Sequence, residues 1–422
     1  MRTTVFLGCY FSILMLSACS GSNLDLRGSE KAPEQGDVMP INEEAKQYEL
    51  RCSADLAQAT QAMKKVEQIA SPKSVAELLE PINEFLIVLD RGANEAALYR
   101  NVHPDETIRQ TAASCEQKFA NLGTLFSLSR PVFDGVSGLD TSGEDEITQR
   151  YVRHLIRDFR RAGVDRDENA RKRVRELQEE LVRIGQNFGK NIREDVRSIS
   201  LDSEKDLEVL PEDYIKAHPS DENGKIVLTT DYPDYVPFMT YAVSDAHRLA
   251  YYREFRKRGY PANLKVLKTL IEKRHELATL LGYKSWADYV TEDKMIKNEG
   301  AIRSFIEKIS NVSKDRSDKD YAKLLERVRK DDPDASAVGD WQKSYIEEQV
   351  KKEQFSFDSQ ELRQYFPYEN VRQGILDLTA EIFGVRYERV DLPTWDSSVE
   401  SYEMWSGDTL IGRFHLDMHP RD

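Results

Sequence analysis

From Ile147 to about Asp195, apolar residues return every three or four positions. Val152, Leu155, Ile156 and Phe159 form one run, and Val174, Leu177, Leu181, Ile184 and Phe188 form the next. That spacing is the signature of helices with one buried face. Gly163 lies between the runs, where a left-handed residue ends a helix, and Asp165 or Asp167 can cap the helix that follows. The two runs therefore predict a long antiparallel helical hairpin. Upstream, Val75 to Leu89 and Ile108 to Leu128 repeat the pattern between polar breaks, so residues 46 to 135 read as helical-bundle material.

The pattern lapses between Val196 and Tyr235. Leu210-Pro211, His218-Pro219 and Asn223-Gly224 signal turns, and Lys225 to Thr230 predicts one strand. Helical spacing resumes at about Pro237 to Arg258 and again from Asn263 to Leu281, with Leu267, Leu270, Ile271, Ala278 and Leu281 as the expected buried stripe. Further helices are expected over Glu299 to Arg329, Gly339 to Lys352 and Asn370 to Phe383. Beyond Gly384 the signal changes to strand, over Val385 to Val390 and Val399 to Met418, with Ser406-Gly407-Asp408 placed to turn a hairpin. The fold class is mainly α, a multi-helix, two-domain architecture with a small antiparallel β hairpin region near the C-terminus. The main boundary divides a helical domain over residues 46–215 from a second over 216–422.

The N-terminus has a different character. Arg2 precedes an apolar stretch from Val5 to Leu16, followed by Leu16-Ser17-Ala18-Cys19, the basic, apolar and small-residue order of an export signal. The last four residues resemble a bacterial lipobox. By that resemblance residues 1–19 are a lipoprotein signal with its lipobox, Cys19 is lipidated after cleavage at Ala18, and Ser20 behind it favours the outer membrane, facing the periplasm. The apolar run is shorter than the roughly 20 residues a membrane span needs. Residues 20–45 are rich in Gly, Ser, Pro and acids and are expected to be a flexible linker. With Cys9 and Cys19 in the signal, Cys52 and Cys115 remain as a possible disulfide, which an exported compartment permits; two free buried thiols are the alternative.

At 422 residues, with 40% hydrophobic and 32% charged, the chain is large enough for a substantial core. Its formal net charge of −14 argues against nucleic acid as a partner. Membrane contact is expected through the lipid anchor alone. There is no internal repeat and no Gly-rich phosphate loop, and the Ser and Cys positions suggest no nucleophile triad.

Two segments imitate a helical zinc motif of the HExxH type, in which two His one turn apart share a metal and a Glu activates its water. His275-Glu276-Leu277-Ala278-Thr279 begins correctly, but Thr279 occupies the second ligand position, where a neutral hydroxyl is a poor substitute for imidazole. His275 is expected near the apolar stripe, packed or hydrogen-bonded. In His415-Leu416-Asp417-Met418-His419, Leu416 replaces the Glu, and Phe414, Leu416 and Met418 alternate with polar residues as in a strand. Residues four apart in a strand are roughly 13 Å apart, too far to share one ion. No catalytic and no metal-binding residue is assigned in this chain.

Three blocks, in order, carry a family likeness. The first is Arg157-Asp158-Phe159-Arg160-Arg161-Ala162-Gly163, followed by Leu177-Gln178-Glu179-Glu180-Leu181 and Gln186-Asn187-Phe188-Gly189-Lys190-Asn191-Ile192. The second is Tyr232-Pro233-Asp234-Tyr235, followed by Leu280-Leu281-Gly282-Tyr283-Lys284-Ser285-Trp286-Ala287-Asp288-Tyr289 and Lys294-Met295. The third is Leu362-Arg363-Gln364-Tyr365-Phe366-Pro367, continuing through Ile382-Phe383-Gly384-Val385 to Gly412-Arg413-Phe414-His415-Leu416-Asp417-Met418-His419-Pro420-Arg421. This series resembles the thimet oligopeptidase, neurolysin and oligopeptidase A family of zinc metallopeptidases, over roughly residues 50 to 422.

The resemblance implies a peptidase-like helical architecture with a channel between two halves, short peptides as substrates and zinc as the cofactor of the complete protein. It also implies that residues 216–422 are the start of a catalytic domain that ends before the zinc motif, so that this chain alone is expected to be inactive and to bind no zinc. Two departures stand out: Gln342 follows Trp341 where the family commonly has Asp, and His415 and His419 replace aromatic residues. The alternative is a non-catalytic exported lipoprotein that binds peptides or scaffolds a partner.

Overall fold

The structure, a computed structural model, describes residues 43–69, 72, 74–202 and 207–419. The export signal, Cys19 and most of the expected linker lie outside the described residues. The described chain begins with helices α1 (Glu43–Glu67), α2 (Val75–Val102), α3 (Glu106–Ser127), α4 (Arg130–Ser137), α5 (Glu146–Ala162) and α6 (Glu168–Glu194). Strand β1 (Ser198–Leu201), α7 (Glu212–Ala217), β2 (Ile226–Thr229), α8 (Tyr232–Tyr241) and α9 (Asp245–Arg256) follow. Then come α10 (Ala262–Leu280), α11 (Trp286–Thr291), α12 (Glu299–Asp331), α13 (Lys343–Phe355), α14 (Ser359–Leu362) and α15 (Tyr368–Phe383). Strands β3 (Arg386–Val390), β4 (Glu400–Ser406) and β5 (Thr409–Leu416) close the described chain. The fold is mainly α with a small antiparallel sheet near the C-terminus.

The chain divides into two compact units. Among the described residues, the first takes those from Glu43 to Lys190 together with Ala262–Ile302, and the second takes those from Asn191 to Pro261 and from Arg303 to His419.

In the first unit, α1, α2 and α3 form a bundle whose starts are set locally: Ser74 accepts from Glu77 N at 3.2 Å and Asp105 from Ile108 N at 3.1 Å, each satisfying a first-turn amide. Phe85, Phe119 and Phe126 fill its centre, with the Phe85 and Phe126 rings 4.5 Å apart. Gly92 lets α2 approach Phe119 so closely that a Cβ would lie 2.1 Å from the ring. Cys52 of α1 and Cys115 of α3 are joined by a disulfide, their Cα atoms 6.2 Å apart. Helix α1 starts at Glu43, inside the stretch read as linker, because Ala45 and Tyr48 are already buried against the bundle.

The expected hairpin of α5 and α6 is realised differently. Val152 and Phe159 of α5 enter the bundle core, whereas Val174 and Leu177 of α6 pack with Leu277 and Ala278 of α10, Leu281 just past its end and Tyr289 of α11. Gly163 ends α5 at φ 95°, and Asp167 accepts from Ala170 N at 2.9 Å to start α6. On α10 the buried stripe is Leu270, Leu277 and Ala278; Leu267 and Ile271, expected inside, are 41% and 57% exposed.

In the second unit β1 pairs antiparallel with β2, Ser198 facing Thr229 and Leu201 facing Ile226. Leu201, Ile226 and Leu228 pack with Phe238 and Met239 of α8 and Tyr251 of α9. The helix expected over Pro237 to Arg258 is interrupted at Ala242 to Ser244, where Ser244 caps α9 by accepting from His247 N at 3.3 Å. The C-terminal sheet has the order β3-β4-β5, antiparallel throughout, with an irregularity at Met404/Trp405 and Gly407 turning the hairpin at φ 55°.

Candidate functional site

The blocks that carry the family likeness are, first of all, joints. Arg161 of the first block donates to Glu292 Oε2 at 2.8 Å and to Tyr289 O at 2.9 Å, so it ties α5 to the end of α11 within the first unit. Arg166 donates to Leu281 O at 2.5 Å, where Gly282 turns the chain at φ 90°. Tyr283 donates to Glu292 Oε2 at 2.5 Å; burial and that carboxylate push its phenol well above the ordinary value. Ser285 caps α11 by accepting from Asp288 N at 3.1 Å.

In the second unit Asp234, the acid of Tyr232-Pro233-Asp234-Tyr235, is the centre of a half-buried network. One oxygen accepts from Thr229 N at 2.9 Å and Thr229 Oγ1 at 2.6 Å, and the other faces His218 Nε2 at 3.0 Å. His218 Nδ1 faces Tyr214 O at 2.8 Å. Both ring nitrogens therefore meet acceptors, which only the doubly protonated imidazolium satisfies. Burial alone lowers the His218 pKa, but the hydrogen bonds to Asp234 and Tyr214 O outweigh it and raise it. Burial alone raises the Asp234 carboxyl, and its bonds from His218 and Thr229 outweigh it and hold it below the ordinary value. An acid supplied with these three donors is held as a carboxylate, and it anchors β2, the end of α7 and α8 to one another.

Near the C-terminus, Glu400 of β4 is clamped by Arg372 of α15, whose Nη1 donates to both carboxylate oxygens at 2.6 and 2.8 Å, and Tyr402 donates to Glu400 Oε2 at 3.0 Å. Ser401 Oγ and His415 Nδ1 are 2.9 Å apart across β4 and β5. Ser401 is buried, so the pair pins the hairpin and does not present a nucleophile. The His415 ring stands edge-on to Trp395, which donates to Asp417 Oδ2 at 2.8 Å. Gln342 donates to Asp245 Oδ1 at 3.0 Å alongside the Trp341 indole at 3.1 Å.

His415 lies on β5 and His419 beyond its end. His275 is exposed on α10 and does not join the apolar stripe; Leu277 and Ala278 take that place. Among the described residues no group of three or more His, Cys, Asp or Glu is arranged to hold a metal ion. The residues present do not fit a zinc centre, and no hydrolytic step is placed on them.

Residues 238–422 match peptidase family M3. This part of the chain is similar to that family. The M3 region runs from the middle of α8 through the C-terminal sheet. Over longer stretches the chain is similar to oligopeptidase A of Haemophilus influenzae, 24% identical over 362 residues covering 81% of this chain and 53% of that protein. It is 26% identical to saccharolysin of Saccharomyces cerevisiae over 389 residues, 86% of this chain and 54% of that protein. Oligopeptidase A of Escherichia coli is 28% identical over 233 residues, 52% of this chain and 34% of that protein. The chain thus spans about half, or less, of the length of these curated relatives.

Proposed function

We propose that this chain forms the N-terminal helical domain and part of the substrate channel of a zinc-dependent oligopeptidase that hydrolyses short peptides by a metal-activated water. The match of residues 238–422 to peptidase family M3 carries the reading. The similarity to proteins named oligopeptidase A and saccharolysin over more than four-fifths of the chain supports it. In this reading residues 46–215 are the helical domain and residues 216–422 begin the catalytic domain, while the zinc chemistry belongs to polypeptide beyond the described residues. The role of the residues at hand is to shape and hold the wall, through the Arg372–Glu400 clamp and the pinned β4–β5 hairpin.

Export as a lipoprotein modified at Cys19, facing the periplasm from the outer membrane, is part of the same proposal. The sequence Leu16-Ser17-Ala18-Cys19 supports it, and the Cys52–Cys115 disulfide suits an oxidising compartment.

The experiment compares this chain with a polypeptide extended by the coding sequence after Asp422, each loaded with zinc and given a quenched fluorescent peptide. The extended protein is expected to cleave it, to lose activity to a chelator and to recover with zinc, while this chain alone cleaves nothing. Zinc-dependent turnover by the chain alone, or its absence from the extended protein, overturns the reading.

A further inference from the structure

Helix α5 is a cationic element in an acidic chain. It carries Arg150, Arg153, Arg157, Arg160 and Arg161 against Glu146 and Asp158, while the whole chain has a formal net charge of −14. Arg161 is used within the unit, bonded to Tyr289 O and Glu292. The other four recur at three, four and three, which lines them along one side of the helix, away from Val152 and Phe159 in the bundle core. Among the described residues Arg157 pairs with Asp158 at 2.8 Å, but Arg150, Arg153 and Arg160, all exposed, meet no carboxylate within ion-pair distance. The cations of a solvated helix are arranged differently: on α12, Lys314, Arg316 and Arg327 each pair with an Asp four residues on.

Three observations bear on what this stripe meets. Ile147, one turn before Arg150, is 71% exposed, so an apolar side chain stands beside the cations, the composition of a helix that lies against lipid headgroups. His154, at the edge of the stripe, is held below its ordinary pKa by burial first and then by Arg157, Arg150 and Arg153, with Asp158 opposing, which marks the positive potential there. The lipid proposed at Cys19 lies 24 residues before Glu43, where α1 begins. Even fully extended, that span reaches only about 80 Å, so it keeps the protein at a concentration on the order of millimolar at the membrane surface. The negative charge of the rest of the chain is screened beyond about 10 Å, and at contact the stripe outweighs it.

We propose that the side of α5 formed by Arg150, Arg153, Arg157 and Arg160 docks on the anionic phospholipid headgroups of the membrane to which the chain is tethered, and so fixes which face of the first unit meets the bilayer. The proposal goes beyond the lipid anchor and rests on it for the tether. An acidic protein surface presents similar charge, but the tether brings a membrane to α5, and the bilayer is the favoured occupant.

The lipid-free protein, starting at Ser20, is sedimented with vesicles of phosphatidylcholine alone and of phosphatidylcholine with phosphatidylglycerol in equal parts, at about 0.1 M salt. Each arginine close to an anionic surface is worth about fivefold in partition, so R150Q/R153Q/R160Q is expected to bind the phosphatidylglycerol vesicles roughly 100-fold less, near the level on phosphatidylcholine, with its circular dichroism unchanged. R153Q alone, expected to lose about fivefold, carries the test if the triple variant does not fold. K265Q/K308Q/K319Q removes the same charge from exposed lysines elsewhere and is expected to bind as the wild type does. Equal partition of the wild type onto both vesicles, full binding by the arginine variants, or an equal loss in the lysine variant overturns the proposal. Tighter binding to polyglutamate than to the phosphatidylglycerol vesicles also overturns it and makes an acidic protein the occupant. The anchor is read separately, from the mass of the N-terminal peptide of the native protein: an unmodified Cys19 sinks the lipoprotein reading, whereas the stripe stands or falls on the vesicles.

Discussion

Gly163 shows how a short-range signal becomes a long-range constraint. Its φ of 95° suits glycine alone, and a Cβ there would lie 2.6 Å from Leu281 Cδ2, so the turn that ends α5 is shaped against the end of α10. Gly163→Ala is expected to cost about 1–3 kcal/mol in urea unfolding. Gly185→Ala, in the interior of α6 with open space around it, is expected to gain up to about 1 kcal/mol. A similar loss at both positions would refute the distinction. The Asp234–His218 pair predicts a pH signature. His218, raised above 6.5, contributes stability that is complete below that value and is lost as pH rises through its folded pKa. Asp234, lowered below 3.8, contributes stability that is complete above that value and is lost as pH falls through its folded pKa. Asp234→Asn should therefore cost about 2–3 kcal/mol between roughly pH 4 and 6.5, with the deficit shrinking on either side. A deficit that does not change with pH would remove the ion pair from the explanation. Gly163 could be read in the sequence because left-handed glycine acts locally. The partnership of His218 with Asp234 could not, because fifteen residues of turn, strand and cap intervene and His218-Pro219 reads only as a turn.

Among helices and strands, period and caps located most elements, and burial is where the pattern misled. The stripe on α10 was drawn through Leu267 and Ile271, but the partners of that helix are Val174 and Leu177, which meet it along Leu277, Ala278 and Leu281. A helical period tells that a face exists and not which angular position its partner takes. Strand β1 escaped notice because Ser198-Ile199-Ser200-Leu201 is too short to alternate convincingly; it becomes a strand through pairing with β2. The disulfide acts on elements too. It closes a loop of 63 residues between α1 and α3, and its removal by Cys52→Ala with Cys115→Ala is expected to cost about 4 kcal/mol on chain-entropy grounds. Calorimetry with and without a reductant checks this, and an unshifted transition would show that the cross-link adds nothing beyond the packing around Phe85 and Phe119.

For the protein entire, division into two compact units predicts a thermogram with more than one transition, since separate cores need not melt together. The transition moved by reducing the disulfide should be that of the unit holding α1 to α3, and one transition moving as a whole would contradict the division. The family blocks were readable as a series because they recur in order, yet their chemistry was not. In the structure Arg161 and Gly282 of those blocks serve as joints, the latter beside Arg166 from outside them, and the metal-binding residue types stay scattered among the described positions. The first unit has a core assembled from two distant stretches, Leu128, Val174 and Leu177 on one side and Leu277, Ala278, Leu281 and Tyr289 on the other. A ribosome adding roughly 5–20 residues each second delivers Leu277 about 5–20 s after Leu177. During that interval the nascent α6 carries an uncovered stripe while the β1–β2 hairpin is already being made, so a holding chaperone would have its binding site on α6 before α10 has emerged.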